Sequence, residues 1–148
     1  MPIELRIALV IALLAVAIAA GLVWKARTGR ARLVRSGELV DLTKLAAQKH
    51  GQTFTKFGRK ATLLQFSTEV CSVCKQTAKF LSDLEKKHPE LVHLEVDITN
   101  RLDLAAHFGV LQTPTTLVLN PSGRVVARIG GAPKPLVIQH ELEKLDIK

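Results

Sequence analysis

Cys71 and Cys74 are the only two cysteines in this 148-residue chain, and they stand in the stretch Thr68-Glu69-Val70-Cys71-Ser72-Val73-Cys74-Lys75. An apolar run (Leu63, Leu64, Phe66) precedes them and an amphipathic helical pattern follows. On a helix that starts near Cys71, a spacing of three places the second sulfur one turn beyond the first on the same face, within reach of a short disulfide. Unsatisfied backbone N–H groups and the positive helix end favour a thiolate at the first position; Lys75 adds a cation there and Glu69 opposes it. Helix N-termini and Cys-x-x-Cys geometry lower a free thiol's pKa, about 8.5, by one to several units, so such a pair suits dithiol–disulfide exchange near neutral pH. Two other uses compete. A zinc site takes four ligands, usually as two pairs, and a single Cys-x-x-Cys leaves it half built. Inert buried cysteines are also possible, but a Cys-x-x-Cys between a strand and a helix is where redox chemistry is expected. The chain has neither G-x-G-x-x-G nor C-x-x-C-H, so no flavin, nucleotide or haem cofactor is expected.

The elements that must position the pair are legible on either side of it. Residues 61–66 form an apolar run of strand length, suited to a central strand covered on both faces. After the cysteines, Val73, Thr77, Phe80, Leu81 and Leu84 recur at helical spacing until Pro89 ends the pattern. Residues 91–96 alternate, with Val92, Leu94 and Val96 on one face and His93 and Glu95 on the other. Residues 103–108 predict a short helix closed by Gly109. Residues 115–119 and 124–129 flank Asn120-Pro121-Ser122-Gly123, whose turn chemistry predicts an antiparallel hairpin. Ile138, Leu142 and Leu145 mark a terminal amphipathic helix. Ahead of all these, Leu42, Leu45 and Ala46 predict a helix capped by Asp41 and stopped by Gly51; residues 52–60 carry no clear pattern. Strands and helices in this order pack most economically as a central mixed sheet with helices on both faces.

The N-terminus is of a different kind. Residues 7–24 carry no charge and no polar side chain, and as a helix they cover about 27 Å of a hydrocarbon core about 30 Å thick. A cleaved signal peptide competes with a membrane anchor here, with Ala17 and Ala19 imitating a cleavage site. The long apolar core, and an Arg6 offset by Glu4, favour the anchor. Lys25, Arg27, Arg30, Arg32 and Arg35 follow the run, whereas Arg6 and the chain amine precede it, so the positive-inside rule places the C-terminal side in the cytoplasm. Those cations can also touch anionic lipid headgroups. The net charge of +8 divides into +4 for residues 1–40 (six cations, two anions) and +4 for residues 41–148 (fifteen and eleven), which leaves no nucleic-acid stripe. The expected organisation is an anchor at 1–24, a basic juxtamembrane linker at 25–40, and an α/β domain at 41–148.

Cys71-Ser72-Val73-Cys74 opening a helix, with Phe108-Gly109-Val110 and Thr113-Pro114-Thr115 ahead of a hairpin and Ile129-Gly130-Gly131 after it, resembles the thioredoxin family over about residues 41–148. The resemblance implies a thioredoxin-like fold and a cis peptide before Pro114, which would face the disulfide. It also implies that Thr113 offers backbone hydrogen bonds to an extended substrate, with Pro114 and Gly130 on the same substrate-binding surface. Three departures stand out. Val70 replaces the family's tryptophan before the first cysteine, and Ser72-Val73 replaces Gly-Pro between the two. By alignment, the family's buried aspartate and the lysine paired with it become Gln65 and His93. A neutral amide cannot accept a proton; His93, whose side chain can titrate near neutral pH, or water would have to do so.

Together with the apolar N-terminal run, the resemblance implies a membrane-anchored thiol–disulfide oxidoreductase that reduces protein disulfides. Its nucleophile would be Cys71 and its resolving thiol Cys74, recharged by a thioredoxin-reductase-like or membrane electron donor. An outward-facing domain would instead resemble the tethered reductases of cytochrome c maturation. A non-catalytic thioredoxin-fold interaction module is the third alternative.

Overall fold

The computed structural model describes residues 2–33 and 37–147, so Arg35, one of the cations counted after the apolar run, lies outside the described residues. Its centre is a strand–helix–strand unit. β4 (Ala61–Ser67) and β5 (Leu91–Asp97) lie parallel, joined by α3 (Ser72–Lys87). β4 is apolar almost throughout because both its faces are covered: Leu63, Leu64 and Phe66 have no exposed surface, each contributing about 1.5–3 kcal/mol by its burial. β6 (Thr115–Leu119) runs antiparallel to β4 on its other side, and β7 (Val125–Gly130) returns beside β6. Their turn forms as the sequence predicts. Asn120 Oδ1 accepts from the N–H groups of Ser122 and Arg124, and Gly123 takes the left-handed conformation (φ +79°) that closes it.

Helices cover both faces. Leu81 of α3 and Ile138 and Leu142 of α5 (Pro135–Glu143) pack over Ala61, Leu63, Leu91 and Ile129. On the opposite face, Leu42 and Leu45 of α2 (Leu42–Leu45) and Leu104 of α4 (Leu102–His107) pack over Leu64, Phe66, Leu94 and Leu117. Phe108 stands beside Phe66 with ring centroids 5.2 Å apart. The alternation of side chains along a strand therefore puts Gln65, His93 and Glu95 under α3, and Leu64, Phe66, Leu94 and Val96 on the far side.

Two stretches fold otherwise than the sequence predicts. The helix expected from Asp41 to Gly51 stops after four residues. Asp41 caps it, accepting from the Thr43 N–H at 3.0 Å, but Ala46 turns left-handed (φ 50°) and the chain enters a hairpin. Its strands are β2 (Gln48–Lys49) and β3 (Gln52–Thr53), turned by His50 (φ 51°) and Gly51 (φ 79°). Gly51 thus serves a turn rather than a helix stop, and Gln48 pairs with Glu95 at the edge of the sheet.

The second stretch is the connector at 25–40, part of which joins the sheet. Its β1 (Ala31–Leu33) pairs antiparallel with β7, Ala31 opposite Ile129 and Arg32 opposite Arg128. Leu39 bridges Arg124, and Val40 is buried in the core. Without this cover β7 would present an open edge. The sheet order is thus β1-β7-β6-β4-β5-β2-β3. Ahead of it, α1 (Ile3–Arg27) is long and apolar enough to cross a membrane, with a mean hydropathy of 2.8 over its most apolar window and none of it buried.

Candidate functional site

The site is built where β4 ends and α3 begins. Beyond Ser67 the chain turns so that the Cys71 N–H donates to Thr68 O at 3.1 Å, which leaves Cys71 in an extended conformation as the residue capping α3. Its sulfur takes the place of an ordinary capping oxygen and accepts from the Cys74 N–H at 3.1 Å. Cys71 and Cys74 are joined as a disulfide, with Cα atoms 5.2 Å apart, inside the range such a bond needs. The two sulfurs are not equivalent. Cys71 is partly exposed, whereas Cys74 is 2 % exposed beneath the helix. Val73, placed by its spacing among the core residues of α3, is 43 % exposed, and Val70 is almost wholly so. These two side chains make an apolar rim beside the disulfide.

The peptide bond between Thr113 and Pro114 is cis, as the resemblance implies. Thr113 Oγ1 lies 3.5 Å from Thr68 Oγ1, joining this loop to the turn that carries Cys71. Pro114 is buried, and its carbonyl accepts from the Gly131 N–H at 2.7 Å. A side chain on Gly130 would meet the amide of Gln112 at 2.7 Å. The structure thus gathers Cys71, Cys74, Thr113 and Pro114. Gly130 is linked to them through Gly131, but its carbonyl already accepts from Gly29 N–H of the connector at 2.8 Å.

On the inner side, the Gln65 side-chain amide donates to Cys74 O at 3.0 Å, and its Oε1 lies 3.2 Å from His93 Nε2. With that oxygen accepting, Nε2 carries the hydrogen, and the row runs from His93 through Gln65 to the Cys74 carbonyl. Burial, reinforced by the nearby charges of His50 and Lys49, pushes the His93 pKa down to about 4, so the ring is neutral near pH 7. His93 therefore presents a hydrogen toward the cysteine turn, and its lone pair does not face Gln65.

Beside this row, a cleft of about 350 Å³ opens between the start of α3 and the end of β5; Ser67, Thr68, Cys74, Lys75, Glu95 and Asp97 line it. Glu95, set by alternation on the face opposite Val92 and Val96 and given no role by the sequence, stands in register with Gln65 and is half-buried. Desolvation holds its carboxyl above the usual range, and His50 opposes that shift. The signal for it was present in the alternation of residues 91–96, which puts 93 and 95 under the same helix. Among the described residues no three His, Cys, Asp or Glu side chains are grouped to hold a metal ion.

Comparison with known proteins agrees with this geometry. The Thioredoxin family profile matches residues 41–144. A rice protein, thioredoxin H5 of Oryza sativa subsp. japonica, is 26 % identical over 118 residues, covering 80 % of each chain. Thioredoxin H9 of Arabidopsis thaliana is 33 % identical over 76 residues, which is 51 % of this chain and 54 % of that protein, so the match spans about half of that relative's length. The solved structure of a poplar wild-type thioredoxin h superposes with a TM-score of 0.52 at 31 % identity, covering 61 % of this chain and 80 % of that one. With a Cys-x-x-Cys disulfide capping the helix that follows the central strand, and the family profile matched from α2 to α5, the chain belongs to the thioredoxin family of thiol–disulfide oxidoreductases.

Proposed function

We propose that this protein is a membrane-anchored reductase of protein disulfides, held by residues 7–24 with its domain on the cytoplasmic side. The observation that carries the chemistry is the inequality of the two sulfurs: Cys71 reaches solvent at a helix N-terminus and takes the Cys74 N–H, while Cys74 is enclosed. In the reduced state the Cys71 thiolate attacks one sulfur of a substrate disulfide. The substrate S–S bond breaks, a mixed disulfide forms, and the departing substrate thiolate takes up a proton. Cys74 then loses its proton and attacks the Cys71 sulfur, releasing the second substrate thiol and leaving Cys71–Cys74 oxidised. Two electrons have passed from the dithiol to the substrate, and a thioredoxin-reductase-like or membrane donor must return them. Thr113 and Pro114 would hold the extended substrate strand beside Cys71. The cytoplasmic assignment rests on the cations that follow residues 7–24, and these would also meet anionic lipid.

The test is the Cys74→Ser variant in intact cells. Its mixed disulfides should persist on non-reducing gels, while Cys71→Ser should trap nothing. Equal trapping by both variants would exchange the roles. In the same cells an impermeant thiol reagent should label Cys71 only after the membrane is opened; full labelling of unopened cells would place the domain outside.

A further inference from the structure

Resolution demands that Cys74 lose a proton in an enclosed place, where desolvation disfavours the thiolate. Neither residue beneath it is shaped to take that proton. Gln65 has no basic site, and His93 directs a hydrogen along the row through Gln65. The other approach to Cys74 is the cleft of about 350 Å³ between α3 and β5. A water molecule occupies about 30 Å³ of liquid, so this cleft has room for several, and its walls supply the polar partners that ordered water needs. Small side chains at Ser67 and Thr68 leave the space open. From the far wall comes Glu95, on the same face of the sheet as Gln65 and in register with it.

We infer that Glu95 accepts the proton of Cys74, relayed through water in this cleft. The inference rests on the reductase reading and concerns its second step. The Cys74 S–H bond breaks, the proton passes by water to a Glu95 carboxylate oxygen, and the sulfur's electron pair forms the bond to Cys71 as the substrate thiolate leaves. Other charged groups surround the carboxylate. On its own strand stand His93 and Asp97, on the β2–β3 hairpin Lys49 (paired with Glu85) and His50, on α3 Lys75, and after β4 Glu69. Asp97 is committed elsewhere, its Oδ1 accepting from the Thr99 N–H at 2.8 Å and from the Thr99 hydroxyl. Burial raises the Glu95 carboxyl above its usual range, which brings it nearer to the working pH of a general base, and His50 opposes that shift.

The experiment uses the reduced full chain in detergent micelles, mixed with a synthetic peptide disulfide under single-turnover conditions, with acid-quenched mixed disulfide followed over time from pH 5 to 9. In the wild type, resolution should rise as pH passes the raised carboxyl pKa and again with the thiol. Glu95→Gln should slow resolution about 10²-fold at pH 7, near the lower range for general base catalysis, and remove the acidic inflection. Glu95→Asp should restore part of the rate. Capture of the peptide by Cys71, read in the Cys74→Ser background, reports general damage. Unchanged resolution in Glu95→Gln, an equal loss in Asp97→Asn, or an equal loss of capture would each overturn the role of Glu95 alone. A wild-type chain that never forms mixed disulfide would instead sink the reductase reading, and this step with it.

Discussion

The two sides of the disulfide are made by different rules. Toward solvent, Cys71, the Thr68–Thr113 contact and the cis peptide before Pro114 form a surface held by turns, with Val70 and Val73 exposed on its rim. Toward the interior, Cys74 rests on a buried polar row in which Gln65 bonds both the cysteine carbonyl and His93. The outer side needs access and tolerates change because water satisfies whatever is removed. The inner side has no such reserve, since a buried polar group left without a partner costs about 1–3 kcal/mol. Under the proposed function, one face would meet substrates and the other would govern how the second thiol becomes reactive.

Three variants sharpen this contrast. The largest effect belongs to His93, whose pKa falls from the ordinary 6.5 to about 4 on folding. Below pH 6.5 the unfolded chain binds a proton that the folded chain refuses, so stability is full above pH 6.5 and declines as pH drops toward 4. The shift corresponds to about 3 kcal/mol in all. Denaturant unfolding of the oxidised chain in detergent at pH 4, 5, 6 and 7 should show His93→Gln losing that much less across the interval than the wild type. Parallel curves would mean that His93 is not buried as a neutral ring.

Gln65→Leu comes next. It keeps the volume but strands the Cys74 carbonyl and the His93 Nε2–H, at about 2 kcal/mol, visible as a lower denaturation midpoint at pH 7. A variant as stable as the wild type would show that the row contributes nothing. Val70→Ser, on the outer side, should move stability by less than about 0.5 kcal/mol while weakening capture of apolar peptides relative to charged ones. A midpoint shift comparable with that of Gln65→Leu would erase the distinction between the sides.

The sequence announced the outer side more plainly than the inner one. Cys71 and Cys74 at a helix start, the Asn120 turn and the strand at 91–96 all rest on local chemistry, in which neighbours along the chain decide the conformation. The resemblance supplied Thr113–Pro114. What escaped depends on partners far along the chain. Ala31–Leu33 forms a strand because β7 offers an edge, and nothing in Ala-Arg-Leu itself signals it. Two-residue strands such as Gln48–Lys49 are too short to show alternation, and the apolar spacing of Leu42, Leu45 and Ala46 favours a longer helix although the chain turns at Ala46. Alternation set Glu95 on the same face as His93, but only the register placed it beside Gln65.

The hydrogen bond from Gly29 to Gly130 bears on how far this enzyme can reach. α1 ends at Arg27 and β1 begins at Ala31, and a free connector of three residues would span only about 10 Å; here even that slack is taken up by the bond and by the pairing of β1 with β7. With α1 in a bilayer, the disulfide does not sweep a hemisphere as a domain on a long tether would. In that setting it would be held at one height and would present a narrow band of positions to its surroundings. Effective concentration is then high for disulfides displayed at that height and falls toward zero for those elsewhere. Selection among substrates would follow from where their disulfides stand above the membrane as much as from the side chains around them.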